Sequence, residues 1–194
     1  FIIFFVGLFV FLLLIFGFTQ TKTFRSILRE QAVLIVNDAI NGKLSIGDIR
    51  GSVLTSLKII DADLTVANDT VLAVDKIELK YNPIQLLFDR IKVGKVLLVN
   101  PKIKMLQDSS GIWNIEKIAK PTEEDTTTSV FPYLIEVSNI ELENLNLVRK
   151  SYENLYTDEN VDVFNAENLV INNLNFLANA IVDIKNSEYF LELK

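Results

Sequence analysis

The feature that most constrains this chain is an uninterrupted apolar run at its start. Residues 1–18 contain only Phe, Ile, Val, Leu and Gly, and the first charged residue is Lys22. At ~1.5 Å per residue, a helix of roughly 18 to 21 residues is about as long as the hydrocarbon core of a bilayer is thick. A buried helix of this length rarely lacks every polar residue, and the run has no small-residue cleavage site of a signal peptide. The sequence therefore predicts a transmembrane helix over residues 1–21.

The residues around this run leave its orientation open. Lys22, Arg25 and Arg29 follow it, and basic residues favour the cytoplasmic side, but the comparison requires the residues that precede Phe1. The chain begins at Phe rather than Met and ends in an alternating segment. We therefore expect it to be a piece of a longer protein.

The composition excludes several classes of function. A net charge of −6 argues against general nucleic-acid binding, which needs a basic surface. The chain has neither Cys nor His, so disulfides, Cys or His zinc sites, Cys nucleophiles and Ser-His-Asp triads are excluded. Gly42, Gly47 and Gly51 are isolated, and none belongs to a phosphate-binding loop. We expect no enzymatic activity, no cofactor and no metal site.

Two groups of acidic residues could suggest a cation site. Residues 158–169 begin with the spacing of a calcium loop, but its sixth and twelfth positions lack the required Gly and Glu. Asp61, Asp63 and Asp75 lie where alternating strands would expose them, or beside turns, so we interpret them as solvated surface.

After the apolar run the period of the sequence changes twice. Apolar residues recur every three or four positions over residues 24–40, and Asn41 and Gly42 can end a helix there. This pattern predicts a short amphipathic helix within residues 22–42. From Lys43 onward the period is two, which predicts strands with one apolar and one charged face, as in an antiparallel sheet that is wet on one side.

The alternation predicts which residues share the apolar face. A shift in the alternation at Glu143 and Asn144 predicts a β-bulge. The predicted apolar face consists of Ile77, Leu79, Tyr81, Ile91, Val93, Leu97, Val99, Ile103 and Met105.

A series of short motifs follows in a fixed order. Residues 49–52 read Ile-Arg-Gly-Ser, residues 77–81 read Ile-Glu-Leu-Lys-Tyr, and residues 91–101 form an alternating strand that ends in Asn100-Pro101. Residues 111–114 read Gly-Ile-Trp-Asn. From the residues themselves, we expect Gly111 to permit a turn with positive φ, Trp113 to pack over the sheet edge, and Asn114 to cap a short helix over residues 115–118.

The order and spacing of these motifs resemble the N-terminal region of the AsmA-like proteins, the envelope family that includes TamB. The resemblance covers residues 1–118, and its most specific part is Asn100-Pro101 together with Gly111, Trp113 and Asn114. Together with the changes of period and the polar composition after residue 118, it divides the chain into a membrane helix (1–21), an amphipathic helix (22–42), a β-domain (43–118), a polar loop (119–132) and a continuation of the β-groove to the end of the fragment (133–194).

The resemblance also implies a fold and a function. The fold is mainly β with N-terminal helices, and its sheet curls into an open groove. The protein would be anchored by a single span in the bacterial inner membrane, extend into the periplasm and carry phospholipids to the outer membrane by their acyl chains. Two alternatives remain open. One is a TamB-like factor that assists outer-membrane protein assembly with a barrel partner, and the other is a membrane-anchored interaction subunit of a larger envelope complex.

Overall fold

The computed structural model describes residues 2–53, 55–82, 90–120, 134–154, 165–183 and 188–193. Within these residues two α-helices precede eight strands, which confirms the predicted fold class of mainly β structure with N-terminal helices. The predicted polar loop lies almost wholly outside the described residues, as does most of the segment with the calcium-loop spacing. The helices are α1 (Ile2–Thr19) and α2 (Lys22–Ala39). The strands are β1 (Lys43–Ser52), β2 (Ser56–Val66), β3 (Asp69–Tyr81), β4 (Arg90–Val99), β5 (Lys102–Leu106), β6 (Leu134–Lys150), β7 (Asn168–Asp183) and β8 (Glu188–Leu193).

The two helices are separated by a sharp bend. Thr21 caps α2, since its hydroxyl accepts a hydrogen bond from the backbone N–H of Phe24 at 3.2 Å. Among the described residues, neither helix alone meets the length and hydropathy expected of a bilayer crossing. The two helices taken together, over residues 4–39 and with a bend of 67° between them, do meet these two criteria.

All eight strands belong to one sheet, in the order β1-β2-β3-β4-β6-β7-β8. β5 continues in the position of β4 and pairs with β3 on one side and β6 on the other. The described strands of the two parts of the predicted β-region, residues 43–118 and 133–194, therefore belong to a single sheet.

The prediction of a purely antiparallel sheet is wrong at its centre. β6 pairs in parallel with both β4 and β5, whereas the other neighbours are antiparallel. A period of two arises from the pleat of a strand and is the same for both directions of pairing, so the sequence pattern could not distinguish them.

α2 lies along the outer edge of β1, where backbone groups would otherwise lack partners. The amide of Asn37 accepts from the N–H of Leu44 at 2.6 Å and donates to its carbonyl at 3.4 Å. The guanidinium of Arg29 donates to the carbonyl of Gly47 at 2.8 Å. These contacts shield an edge strand that could otherwise pair with another chain.

Candidate apolar binding face

The strand register aligns apolar side chains into continuous rows across the sheet. Residues that face each other on neighbouring strands project to the same side, so a chain of such pairs defines one face. The first row is Ile49, Ile59, Ile77, Leu98, Leu142 and Phe176. The second row is Leu57, Leu79, Val96, Ile140 and Ala178. At ~4.8 Å between strands, six residues extend about 24 Å across the sheet.

The opposite side of the same strands is charged. Lys58 and Lys80 both approach the carboxylate of Glu78, at 3.8 and 3.7 Å, and Lys95 forms an ion pair with Glu141. Ion pairs whose lysines are partly exposed contribute little to stability, but they keep this side polar. The sheet therefore has one apolar and one charged side, as the alternation predicted.

The register corrects the predicted membership of the apolar face. Leu97 and Val99 face Glu78 and Lys76, so they project to the charged side, away from Ile77 and Leu79. Leu97 is only 8% exposed, which shows that it is packed although it lies on that side.

The cause of this error is a bulge in β4. Lys95 faces Lys80 and Val93 faces Tyr81, so Gly94 is an extra residue between them. A bulge re-aims the side chains beyond it, and Val93 therefore joins Tyr81 and Leu79 whereas Leu97 does not. The backbone of Ile91 pairs with Ile135, but its side chain lies outside the described part.

A third apolar row lies farther along the strands and contains another predicted residue, Ile103. Its members are Leu44, Leu64, Leu72, Ile103, Leu147 and Ile171. Met105 alternates in phase with Ile103 and faces Arg149, so its row has a charged member.

A line of polar residues separates the third row from the first two. We call Asp61, Asp75, Asn100, Asn144 and Asn175 the polar seam. Asn100 donates to the carboxylate of Asp75 at 2.7 Å, Asn144 donates to the amide oxygen of Asn100 at 3.2 Å, and the backbone N–H of Asn144 donates to Asn175 at 2.9 Å. The seam thus connects β3, β6 and β7 through side-chain hydrogen bonds.

The backbone is unusual along this seam. Asp61, Asn100 and Asn144 have φ angles of 52°, 53° and 57°, and Asn173 next to the seam has 55°. Asn and Asp adopt this left-handed conformation more readily than other residues with a side chain. The predicted bulge at Asn144 is confirmed, since the register with β7 shifts between Leu142 and Leu145.

The segment after β5 contains the most specific sequence motif. Gly111 has a φ of 80°, as predicted, in a turn where Gly111 donates to the carbonyl of Asp108 at 3.0 Å. The guanidinium of Arg149 lies 4.5 Å from the centre of the Trp113 ring, which gives a cation–π contact with β6. Pro101, the neighbour of Asn100, is fully buried.

The expected role of Asn114 as a helix cap is wrong. The one-turn helix Glu116–Ile118 has no side-chain cap, and the residue at its start is Ile115. Instead, the amide of Asn114 accepts from the N–H of Leu106 at 3.1 Å and donates to the carbonyl of Lys104 at 2.9 Å. Asn114 therefore completes the hydrogen bonding of β5, as Asn37 does for β1.

Two titratable groups lie beside the apolar face or the motif. Tyr81 donates its hydroxyl hydrogen to the carbonyl of Val53, and burial raises the pKa of this phenol, so it stays neutral at the end of the apolar face. The Lys117 ammonium, 2.6 Å from Asp108, holds the pKa of that carboxyl below its usual value, with help from the N–H of Ile112.

The chain was compared with models of known protein families. The AsmA family model aligns with residues 1–193, nearly the whole chain. The chain belongs to the AsmA family.

This membership confirms the resemblance and extends it beyond residue 118. AsmA-family proteins are envelope proteins, and many are linked to the transport of lipid or protein there. Comparison with curated proteins and with solved structures finds no match.

Proposed function

We propose that this AsmA-family chain is anchored in the inner membrane and carries phospholipids through the periplasm between the inner and outer membranes. The observation that supports this most strongly is the pair of apolar rows between β1 and β7, which include Ile77, Leu79, Val96 and Leu98. An apolar surface of this breadth is rare on a soluble protein unless it binds something.

Acyl chains are apolar like this surface, and their burial against it is energetically favourable. Each methylene removed from water contributes about 0.8 kcal/mol, so a row of branched side chains can hold a lipid tail without any specific polar contact. Among the described elements, extensive packing of a helix against the sheet is found only between α2 and β1, at one edge of the sheet. Ile77, Leu79, Val96 and Leu98 are only partly buried.

The polar seam supports a curled sheet. Left-handed residues interrupt the pleat and re-aim the side chains that follow, as bulges do. In our proposal the strands bend at Asp61, Asn100 and Asn144, so that the third apolar row turns toward the first two. The resulting cross-section is an open groove whose apolar lining continues on both sides of the seam.

α1 is the anchor in this proposal. Its large apolar side chains are widely exposed, with Phe4 at 69% and Leu14 at 67%, which is costly in water and favourable in lipid. The β-domain would then lie on the periplasmic side.

A pair of adjacent substitutions tests whether the apolar side carries lipid. Leu98→Asp places a charge on the apolar side, whereas Val99→Asp places the same charge one residue away on the charged side. We expect the purified Leu98→Asp protein to lose most of its co-purifying phospholipid, measured by mass spectrometry, and Val99→Asp to retain it. An absence of phospholipid from the unmodified protein would favour an interaction subunit. Lipid-free protein captured by an outer-membrane barrel would favour a TamB-like assembly factor.

A further inference from the structure

α2 presents two different faces. One face is turned to the sheet, where Arg25 and Arg29 donate to the carbonyls of Gly51 and Gly47. The other face has large apolar side chains that the described residues leave exposed, and it includes Ile27, Leu34 and Ile35, exposed by 46%, 61% and 66%. The predicted apolar stripe of this helix is therefore wider than the strip that β1 covers.

The position of Phe24 shows where this second face is directed. Phe24 precedes Ile27 by three residues, so the two lie on the same side of the helix. Its ring packs edge-to-face on Phe18 of α1, with centroids 5.5 Å apart. The exposed face of α2 is thus the face turned toward α1, inside the angle between the two helices.

We infer that the face of α2 formed by Phe24, Ile27, Leu34 and Ile35 lies in the headgroup region of the membrane that α1 crosses. This inference rests on α1 being the anchor in the proposed function. If α1 follows the membrane normal, the 67° bend leaves α2 close to the membrane plane. α2 then moves away from the membrane by only about 0.6 Å per residue.

The dimensions fit this placement. Leu34 would lie about 7 Å above the start of α2, and helical side chains reach 5–6 Å from the axis, so its side chain would lie within the interfacial layer. Arg25 and Arg29 are turned to the sheet, so the apolar side chains rather than these charges make the contact with the membrane. The recognised surface is therefore the interfacial layer of a phospholipid leaflet. Asp38 lies in the last turn, which the bend carries farthest from the membrane.

This placement has a consequence for the sheet. Because Arg29 and Asn37 bind the outer edge of β1, an α2 that lies on the membrane holds this edge close to the leaflet. The β1 end of the apolar rows would then begin at the lipid surface.

Fluorescent labels on single cysteines test the inference, because the natural chain has no cysteine. Ile27→Cys, Leu34→Cys and Ile35→Cys would each be labelled with an environment-sensitive dye. Lys58→Cys on the charged side is the aqueous control, and Leu13→Cys in α1 is the control for the anchor. The full chain is reconstituted in vesicles of phosphatidylethanolamine and phosphatidylglycerol that carry a doxyl quencher at a shallow or a deep acyl position.

We expect the three α2 labels to be quenched several-fold more than the Lys58→Cys label, and more by the shallow than by the deep quencher. The Leu13→Cys label should respond most to the deep quencher. If Leu13→Cys is quenched but the α2 labels behave like Lys58→Cys, the inference is overturned and the anchor stands. α2 labels that are shielded from water but not quenched would also overturn it, because a protein would then cover this face. If Leu13→Cys is not quenched, the anchor of the proposed function itself fails.

Discussion

Asn100 donates a side-chain hydrogen bond to the carboxylate of Asp75 at 2.7 Å while its own backbone is left-handed, with a φ of 53°. Asp75 lies in β3 and Asn100 in the break between β4 and β5, and the same bonding continues to Asn144 on β6. The left-handed residues Asn100 and Asn144 are therefore linked to each other and to β3 by amide and carboxylate groups. In our proposal this line is where the sheet bends into a groove.

Substitutions of Asn100 should separate the backbone effect from the hydrogen bond. Asn100→Val introduces a β-branched residue at positive φ and removes the bond, so we expect it to lower the free energy of unfolding by about 2–3 kcal/mol. Asn100→Gly keeps the conformation and loses only the side-chain hydrogen bonds to Asp75 and Asn144, so we expect a smaller loss of about 1 kcal/mol. Urea unfolding of the two variants in detergent measures both values. Equal losses would mean that the left-handed backbone is not required.

The side-chain amide of Asn114 should matter more for stability than that of Asn37, although both pair with a strand edge. Asn114 is 7% exposed, and Asn114→Asp keeps its shape while removing the donor to Lys104. We expect a loss of about 1–3 kcal/mol at neutral pH, because a buried carboxylate replaces the amide and no longer donates to the carbonyl of Lys104. Asn37→Asp, at a half-buried position, is the matched control and should cost less. A larger loss for Asn37→Asp would contradict our account of the motif.

The pairing of Asp108 with Lys117 should make stability depend on pH in the acid range. The folded-state pKa of Asp108 is lowered, chiefly by the Lys117 hydrogen bond, from an ordinary value of 3.8. The stability that it contributes is therefore present above that value and is lost as the pH falls through the lowered folded pKa. We expect the protein to have a higher Tm than Asp108→Asn at pH 7 and no advantage near pH 2. When Asp108→Asn is made in a protein that already carries Lys117→Met, we expect it to lower the Tm at pH 7 by less. An equally large decrease in Tm would rule out this ion pair as the cause.

The sequence predicted the helices and strands of this fold more accurately than the way in which the strands pair. The uncharged first run and the change of period at Lys43 depend only on local geometry, and both correspond to observed elements. The positive φ of Gly111 and the irregularity at Asn144 were also predicted, because each has a local signal. The parallel pairing of β6 depends on where a long connection returns the chain, and alternation contains no information about that.

The predicted apolar face was partly right for the same reason. Ile77, Leu79 and Tyr81 lie on one strand, so their common side follows from the pleat alone. Whether Leu97 or Leu98 joins them depends on the register between β3 and β4 and on the extra residue Gly94. A Gly inside a strand is a signal of a bulge, and it was the one clue to this error.

The central claim is that phospholipid lies on the apolar side of the sheet, and photo-crosslinking tests it most directly. Benzoylphenylalanine would be placed at Leu79, Val96 and Leu98 on that side, and at Glu78 and Leu97 on the charged side, in the full chain in cells. We predict phospholipid adducts at the first three positions and none at the other two. Equal labelling of both sides, or no adduct at any position, would contradict the claim.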